Sequence, residues 1–408
     1  MKILIVTQYF WPENFRINDV AVGLKEKGHD VTILTGIPNY PRGRFFARYG
    51  FFKKRTEDYH GIKIIRMPQI PRGSGSGIRL ALNYLSFAFF SSILASFYLR
   101  SNKFDQILVY QLSPITVCLP ALVLKKIFSI PIVLWVQDLW PESITAVGAL
   151  CSNRIIKLLE ALVRFIYHNS DKILVQSKTF PAAIEKYGIK NGKITYLPNS
   201  VEDFYKPISS GRELENKFGL AQGFRIMFAG NMGVAQDFET ILAACEKLKI
   251  FKDIHWIILG DGRMRPWVEA QVEKRGLKNN VHLLGRFPPE EMPKFFAQAN
   301  IMLVTLKNQP IFALTVPAKV QSYLACAKPI IAALNGEGAR IITEAGAGLI
   351  CPAENSTALA DAVLKAYRMP KEEIDKMGLN GRKYFDENFS REMLLNRLDG
   401  LIKQVVEN

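Results

Sequence analysis

Three short loops, each leaving an apolar run, carry most of the reactive side chains in the first half of the chain. The first is Tyr9-Phe10-Trp11-Pro12-Glu13-Asn14, with Arg16 close behind. The second is Asn39-Tyr40-Pro41-Arg42-Gly43-Arg44. Its arginines suit an acceptor phosphate or simple solvation, just as the first loop suits a ligand or plain aromatic packing. The third, Gln137-Asp138-Leu139-Trp140-Pro141-Glu142, sets two carboxylates just beyond a strand end, where one could activate a hydroxyl acceptor. Asp138 equally suits helix capping, with Pro141 in the first turn, and both roles can hold together.

The second half offers glycine turns and one lysine. Gly230-Asn231-Met232-Gly233, followed by Gln236, leaves an apolar run, and Gly260-Asp261-Gly262-Arg263 leaves the next. Turns of this kind let backbone N–H groups approach a phosphate. Pro317 then opens a helical segment with Lys319 in its first turn. A cation there opposes the helix dipole unless an anion sits at the same end. Lys319 is therefore a candidate diphosphate contact, an exposed surface lysine being the bland alternative.

The elements that must position these residues alternate along the chain. Ile3–Thr7, Val31–Thr35, Ile62–Arg66, Gln106–Tyr110, Ile132–Val136 and Lys172–Gln176 are predicted strands, buried on both faces. A second series follows at Arg225–Ala229, His255–Leu259, Val281–Leu284, Ile301–Thr305, Pro329–Ala333 and Gly348–Cys351. Helical patterns separate them, beginning with Val20–Lys27 and its capping Gly28. This is the rhythm of two doubly wound α/β domains, residues 1–197 and 198–384.

Charge divides the same way. Residues 1–200 hold 26 Lys and Arg against 12 Asp and Glu, whereas residues 201–408 hold 27 against 25. A basic first domain expects an anionic partner: acidic lipid, a phosphorylated substrate or nucleic acid. No basic stripe interleaved with aromatics supports nucleic acid. The odd set Cys118, Cys151, Cys245, Cys326 and Cys351 has no Cys-x-x-Cys pair, which argues for a reducing compartment. Ile3–Val6 is too short for the apolar core of a signal peptide.

One segment breaks the α/β rhythm. Leu80–Leu99 contains no charged residue and is bracketed by Arg79 and Arg100. It is long enough to span a bilayer, but its serines and Asn83 dilute it, and a buried core helix is also possible. The run Lys53-Lys54-Arg55 and the charge excess favour a helix lying in a membrane surface, hence a peripheral, monotopic protein at the cytoplasmic face.

No P-loop, Gly-x-Gly-x-x-Gly, Asp-x-Asp pair or His/Cys cluster occurs, so a departing diphosphate would have to be met by Lys, Arg and backbone dipoles. Gly230–Gln236, Gly260–Gly262, Leu284-Gly285-Arg286, Pro317–Pro329 and Leu197–Val201 together resemble the retaining glycosyltransferases of family 4 over nearly the whole chain. Thr7–Asn14, Leu82–Phe87 and Gln137–Glu142 resemble more closely the bacterial enzymes of surface-polysaccharide assembly, of the fucosamine-transferase or colanic-acid type.

The resemblance implies a GT-B fold: two Rossmann-like domains facing a central cleft, with the last helix, in the region 385–408, returning to the first domain. It implies that Gly230, Asn231, Gly233, Gln236, Arg263, Gly285, Arg286, Lys319, Gln321 and Ser322 serve a UDP- or GDP-sugar. It places the acceptor on the first domain, where Glu13, Asn14, Arg16, Tyr40 and Arg42 are the candidate contacts and Asp138, Gln137 and Glu142 the candidates for the chemistry; the uncharged helix and the basic first domain point to a polyprenyl-diphosphate-linked acceptor. No metal or other cofactor is implied. Three departures stand out. Gln137 replaces a customary His, Asn231 and Gln236 replace an Arg and a Lys, and Leu314 and Ser322 replace paired glutamates. A sugar-nucleotide epimerase of the same fold and a non-catalytic, membrane-associated homologue are the competing expectations.

Overall fold

The strand β1 (Lys2–Val6) is buried over Ile3–Val6, because it lies inside a sheet covered on both faces. The computed structural model describes residues 1–53, 55–73, 75, 77–146, 152–209, 215 and 217–407. Lys54 of the basic run and Cys151 lie outside the described residues. The chain divides into two compact units, Met1–Asn199 with Glu392–Asn408, and Ser200–Arg391.

The first unit is an eight-stranded sheet. With β2 (Asp30–Gly36), β3 (Thr56–Tyr59), β4 (Ile62–Met67), β5 (Gln106–Gln111), β6 (Ile132–Val136), β7 (Lys172–Val175) and β8 (Ile194–Tyr196), its order is β3-β4-β2-β1-β5-β6-β7-β8. All neighbours are parallel except the β3–β4 pair. β3 and β8 are missing from the sequence expectation. Both are short edge strands, and the polar Thr-Glu-Asp-Tyr of β3 lacks the apolar run that marks an interior strand.

The helix Ile17–Glu26 follows β1 and ends at Gly28, whose φ of 84° only glycine adopts cheaply. The final helix, Arg391–Glu407, places Leu394, Leu398 and Ile402 in one cluster with Ile17, Val20 and Leu24. His29 and Asp399 meet at 2.8 Å beside it. The preceding helix, Lys371–Asn388, stays with the second unit, so the return begins after residue 391 rather than near 385.

The second unit is a parallel six-stranded sheet of order β11-β10-β9-β12-β13-β14. Its strands are β9 (Phe224–Ala229), β10 (Ile254–Leu259), β11 (Val281–Gly285), β12 (Ile301–Thr305), β13 (Ile330–Ala333) and β14 (Gly348–Cys351). β9, β10, β12 and β13 are buried throughout. Each unit is thus a Rossmann-like α/β layer structure, a class in which ligands bind at the carboxyl ends of the strands.

The helix Gly77–Leu99 turns a mixed face inward, where Phe87, Ala88, Ala95 and Leu99 are buried beside three polar residues, and leaves a large apolar face outside. Asn83, Ser86 and Ser91 are buried, while Leu85, Phe89 and Phe97 are 58, 61 and 65% exposed. Polar bonds hold the inward face. The Asn83 side chain accepts from Gln8 Nε2 (2.9 Å) and donates to the Ile70 carbonyl (2.6 Å), and Ser86 Oγ accepts from the Ile70 N–H (2.9 Å). By length and composition the helix could cross a membrane, but its ordered polar face belongs to the protein.

Candidate functional site

In the second unit the loops after β9 and β10 interlock. Gly230 N donates to the Leu259 carbonyl (2.9 Å), Met232 N to Asp261 O (2.9 Å) and Gly260 N to Gly285 O (2.7 Å). A Cβ on Gly260, at φ 140°, would stand 1.8 Å from the Gly230 carbonyl. The backbones therefore approach more closely than any side chain permits, and glycine is required there. Gly230 and Asn231 are exposed at this edge, Gly233 and Gln236 half-buried.

Lys319 joins them from the helix Ala318–Ala325. Its Nζ donates to Gln236 Oε1 at 2.6 Å and sits 3.7 Å from the centre of the Phe228 ring. A Cβ on Gly230 would lie 3.4 Å from the same Nζ. No carboxylate pairs with it among the described residues. Burial pulls its pKa down to about 7. A half-buried ammonium in the first turn of a helix, beside two glycine loops, is placed where an anion would offset both its charge and its desolvation.

The remaining donor-side candidates divide. Arg263 and Arg286 are exposed. Gly285 has φ 86° and lies against Arg265, a residue the sequence reading missed, whose guanidinium bonds Glu269 at 2.8 Å. Gln321 and Ser322 are only 2% and 7% exposed, and the Ser322 hydroxyl donates to the Ala318 carbonyl within its own helix. Core packing of Val320, Tyr323 and Leu324 turns that face inward, so neither residue stands where a missing glutamate would meet solvent.

In the first unit, Asp138 follows β6. Its carboxylate accepts from Ser113 Oγ at 2.8 Å, and Ser113 Oγ in turn accepts from Trp140 Nε1 at 3.1 Å. Burial holds the Asp138 carboxyl above its ordinary range, with the Ser113 bonds pulling the other way. Gln137 is buried. Its Oε1 accepts from Asn199 Nδ2 at 2.7 Å, and its Nε2 has no hydrogen-bond partner. Asn199, unnoticed as a functional residue in the sequence, reaches it from the loop after β8. Glu142 is instead ion-paired with Lys186. The two carboxylates of this loop thus have separate partners and do not form one acid–base pair.

Glu13 is a clamp rather than an exposed ligand. Its Oε1 accepts from the backbone N–H groups of Asn39 (2.8 Å) and Tyr40 (2.6 Å), joining the first two loops, while its Oε2 has no partner. Burial pushes its pKa up to about 7. Asn14 and Arg42 are exposed; Arg16 is half-buried. Tyr40 packs with Tyr9 and Phe15 at ring separations of 5.9 and 5.4 Å. Because the folded pKa of Glu13 lies above the unfolded one, its protonation favours the fold. That contribution is complete below about pH 4.5 and is lost as pH rises through about 7, a swing of about 3 kcal/mol. The wild-type melting temperature should fall from pH 5 to pH 8, and Glu13→Gln should flatten that decline in thermal scans.

Two family profiles cover the chain in succession, the glycosyl transferase 4-like domain over residues 14–200 and the glycosyl transferases group 1 over residues 212–384. The chain belongs to the family-4 type of GT-B glycosyltransferases. This glycosyltransferase is 28% identical to WbjE of Pseudomonas aeruginosa, named as a glycosyltransferase, over 67% of this chain and 68% of that one. It is 24% identical to WcaI of Escherichia coli K12, named as a colanic acid biosynthesis glycosyl transferase, over 97% and 98%. The crystal structure of Anabaena HepE in complex with UDP-glucose superposes with a TM-score of 0.71 at 15% identity, covering 99% of this chain and 100% of that one.

Proposed function

We propose that this glycosyltransferase moves a hexose or N-acetylhexosamine, N-acetylfucosamine among them, from a UDP- or GDP-sugar to a polyprenyl-diphosphate-linked saccharide in bacterial surface-polysaccharide assembly. The observation that carries the donor half is Lys319, a half-buried ammonium without a carboxylate partner among the described residues, beside the paired glycine loops. The UDP-glucose bound by HepE and the colanic-acid role in the name of WcaI support the same reading. The donor diphosphate is bound by the second unit, with Lys319 and backbone N–H groups neutralising it as the glycosidic bond breaks. The acceptor hydroxyl, bound by the first unit, gives its proton toward Asp138 and attacks from the face the diphosphate leaves, so the anomeric configuration is kept. No metal is required.

The acceptor half rests on the exposed apolar face of the helix Gly77–Leu99. Seven large apolar side chains of this helix, from Ile78 to Tyr98, are exposed on it, and Arg79, Arg100 and Lys103 are exposed around its ends. A helix lying in an anionic surface at the cytoplasmic face satisfies both features. The double change Leu85→Asp, Phe89→Asp should weaken co-sedimentation with phosphatidylglycerol vesicles by at least about tenfold without lowering the melting temperature.

Incubation with a panel of UDP- and GDP-sugars and a lipid-linked acceptor tests the whole reading. Transfer with retained configuration is expected. Nucleotide release without acceptor would identify an epimerase instead, and failure to bind any sugar nucleotide would overturn the proposal.

A further inference from the structure

We infer that Arg72, framed by Tyr9, Tyr40 and Tyr84 near the start of the helix Gly77–Leu99, is the seat for the diphosphate of the membrane-borne acceptor. This assignment rests on the lipid-linked acceptor proposed above and names the group that grips it.

The Arg72 guanidinium carbon lies 5.7, 5.2 and 5.9 Å from the ring centres of Tyr9, Tyr40 and Tyr84. Nη1 donates to the Tyr9 hydroxyl at 2.5 Å, and the Arg72 backbone N–H donates to Asn39 Oδ1 at 3.0 Å, which fixes the base of the side chain. No carboxylate pairs with Arg72 among the described residues. The contrast with Arg66 is direct: that arginine, fully buried nearby in sequence, is matched by Glu57 at 2.7 Å. A half-buried guanidinium with aromatic faces around it and most of its five donors unassigned is short of an anion, and its fork fits phosphoryl oxygens two at a time.

Its position says which anion. Tyr84 belongs to the helix Gly77–Leu99, on which the next residue, Leu85, and Phe89 one turn beyond Leu85 are exposed. The Tyr84 ring also meets Trp140 at 6.5 Å, and Trp140 Nε1 bonds the same Ser113 hydroxyl that donates to Asp138. One aromatic pair therefore links the cation to the carboxylate proposed for the acceptor hydroxyl. A lipid diphosphate bearing a sugar has the same order: apolar chain, dianionic bridge, then hydroxyls.

The test uses the full-length protein in phosphatidylcholine micelles, titrated with farnesyl diphosphate and with farnesol, as wild type, Arg72→Ala and Arg72→Lys. Farnesyl diphosphate should bind the wild type more tightly than farnesol does. Arg72→Ala should cut that preference roughly 10- to 100-fold, and Arg72→Lys should keep part of it. Should Arg72→Ala not fold by circular dichroism, Arg72→Lys decides, since it keeps the charge but not the planar fork. Equal affinity of all three proteins for farnesyl diphosphate overturns the assignment. So does an equal, Arg72-dependent affinity for phosphatidylglycerol vesicles, which would mark a general anionic-lipid contact. The panel of UDP- and GDP-sugars, titrated in the same samples, separates the two readings. Arg72-dependent binding of farnesyl diphosphate without any donor binding would sink sugar transfer and leave Arg72 standing, and the converse would sink only Arg72.

Discussion

Lys319→Met is expected to raise the melting temperature of this glycosyltransferase while cutting kcat/KM for the sugar nucleotide by roughly 10²–10³-fold. The two effects share one cause. The ammonium lies against the Phe228 ring with Gln236 as its hydrogen-bond partner, and burial holds its pKa at about 7 against the ordinary 10.5. A lysine whose folded pKa is depressed binds protons less readily folded than unfolded. The fold therefore bears a cost that is absent above about pH 10.5 and complete below about pH 7. Methionine removes that cost and keeps the length of the side chain. It also removes the charge that meets the leaving diphosphate, where a lost donor is felt most. The same pKa sets a pH signature. Only the protonated lysine attracts the diphosphate, so donor affinity in the wild type should fall about tenfold between pH 6 and pH 8. Lys319→Arg should abolish that slope. Titration of the donor at several pH values measures it, and a wild type whose affinity is flat across this range would remove Lys319 from the donor site.

Asp138→Asn should lower kcat by roughly 10²–10⁴-fold and leave the donor KM near its wild-type value, because the carboxylate belongs to the unit proposed to bind the acceptor. The amide oxygen can still accept from Ser113, so the loop keeps its shape while the proton acceptor is lost. Burial raises the Asp138 pKa, which makes it a better base near neutrality and moves the acid limb of the pH–rate profile above the ordinary carboxylate range. Full turnover by Asp138→Asn would leave the carboxylate only its structural bond to Ser113. The neighbouring Glu142 provides the control: its carboxylate already serves Lys186, so Glu142→Gln should change kcat by less than about threefold.

The architecture was legible from the chain because interior parallel strands need apolar residues on both faces. Ile132–Val136 and Ile301–Thr305 read as unbroken runs and fold as β6 and β12. The glycine turns were equally plain, since backbone in contact with backbone excludes every Cβ. Lys319 was conspicuous because a cation in the first turn of a helix is out of place. The polar Thr56–Tyr59 and three-residue Ile194–Tyr196 strands were not legible: an edge strand is recognised by the neighbour it pairs with, not by its own pattern.

The fine placement of the site residues came only with tertiary structure. Glu13 proved a backbone clamp because its partners lie 26 and 27 residues away. Gln321 and Ser322 turned inward with the core face of their helix. Arg72 gained its frame from three tyrosines on three different segments, which no spacing rule reveals. The uncharged run Leu80–Leu99 shows the division most clearly. Its sequence set the length and apolarity of a helix, but the face that carries Asn83 and Ser86 inward is held by Gln8, 75 residues before Asn83, and by the Ile70 backbone. Local sequence determines which groups must be satisfied; the fold decides which distant groups satisfy them, and so which surface of the helix is left exposed.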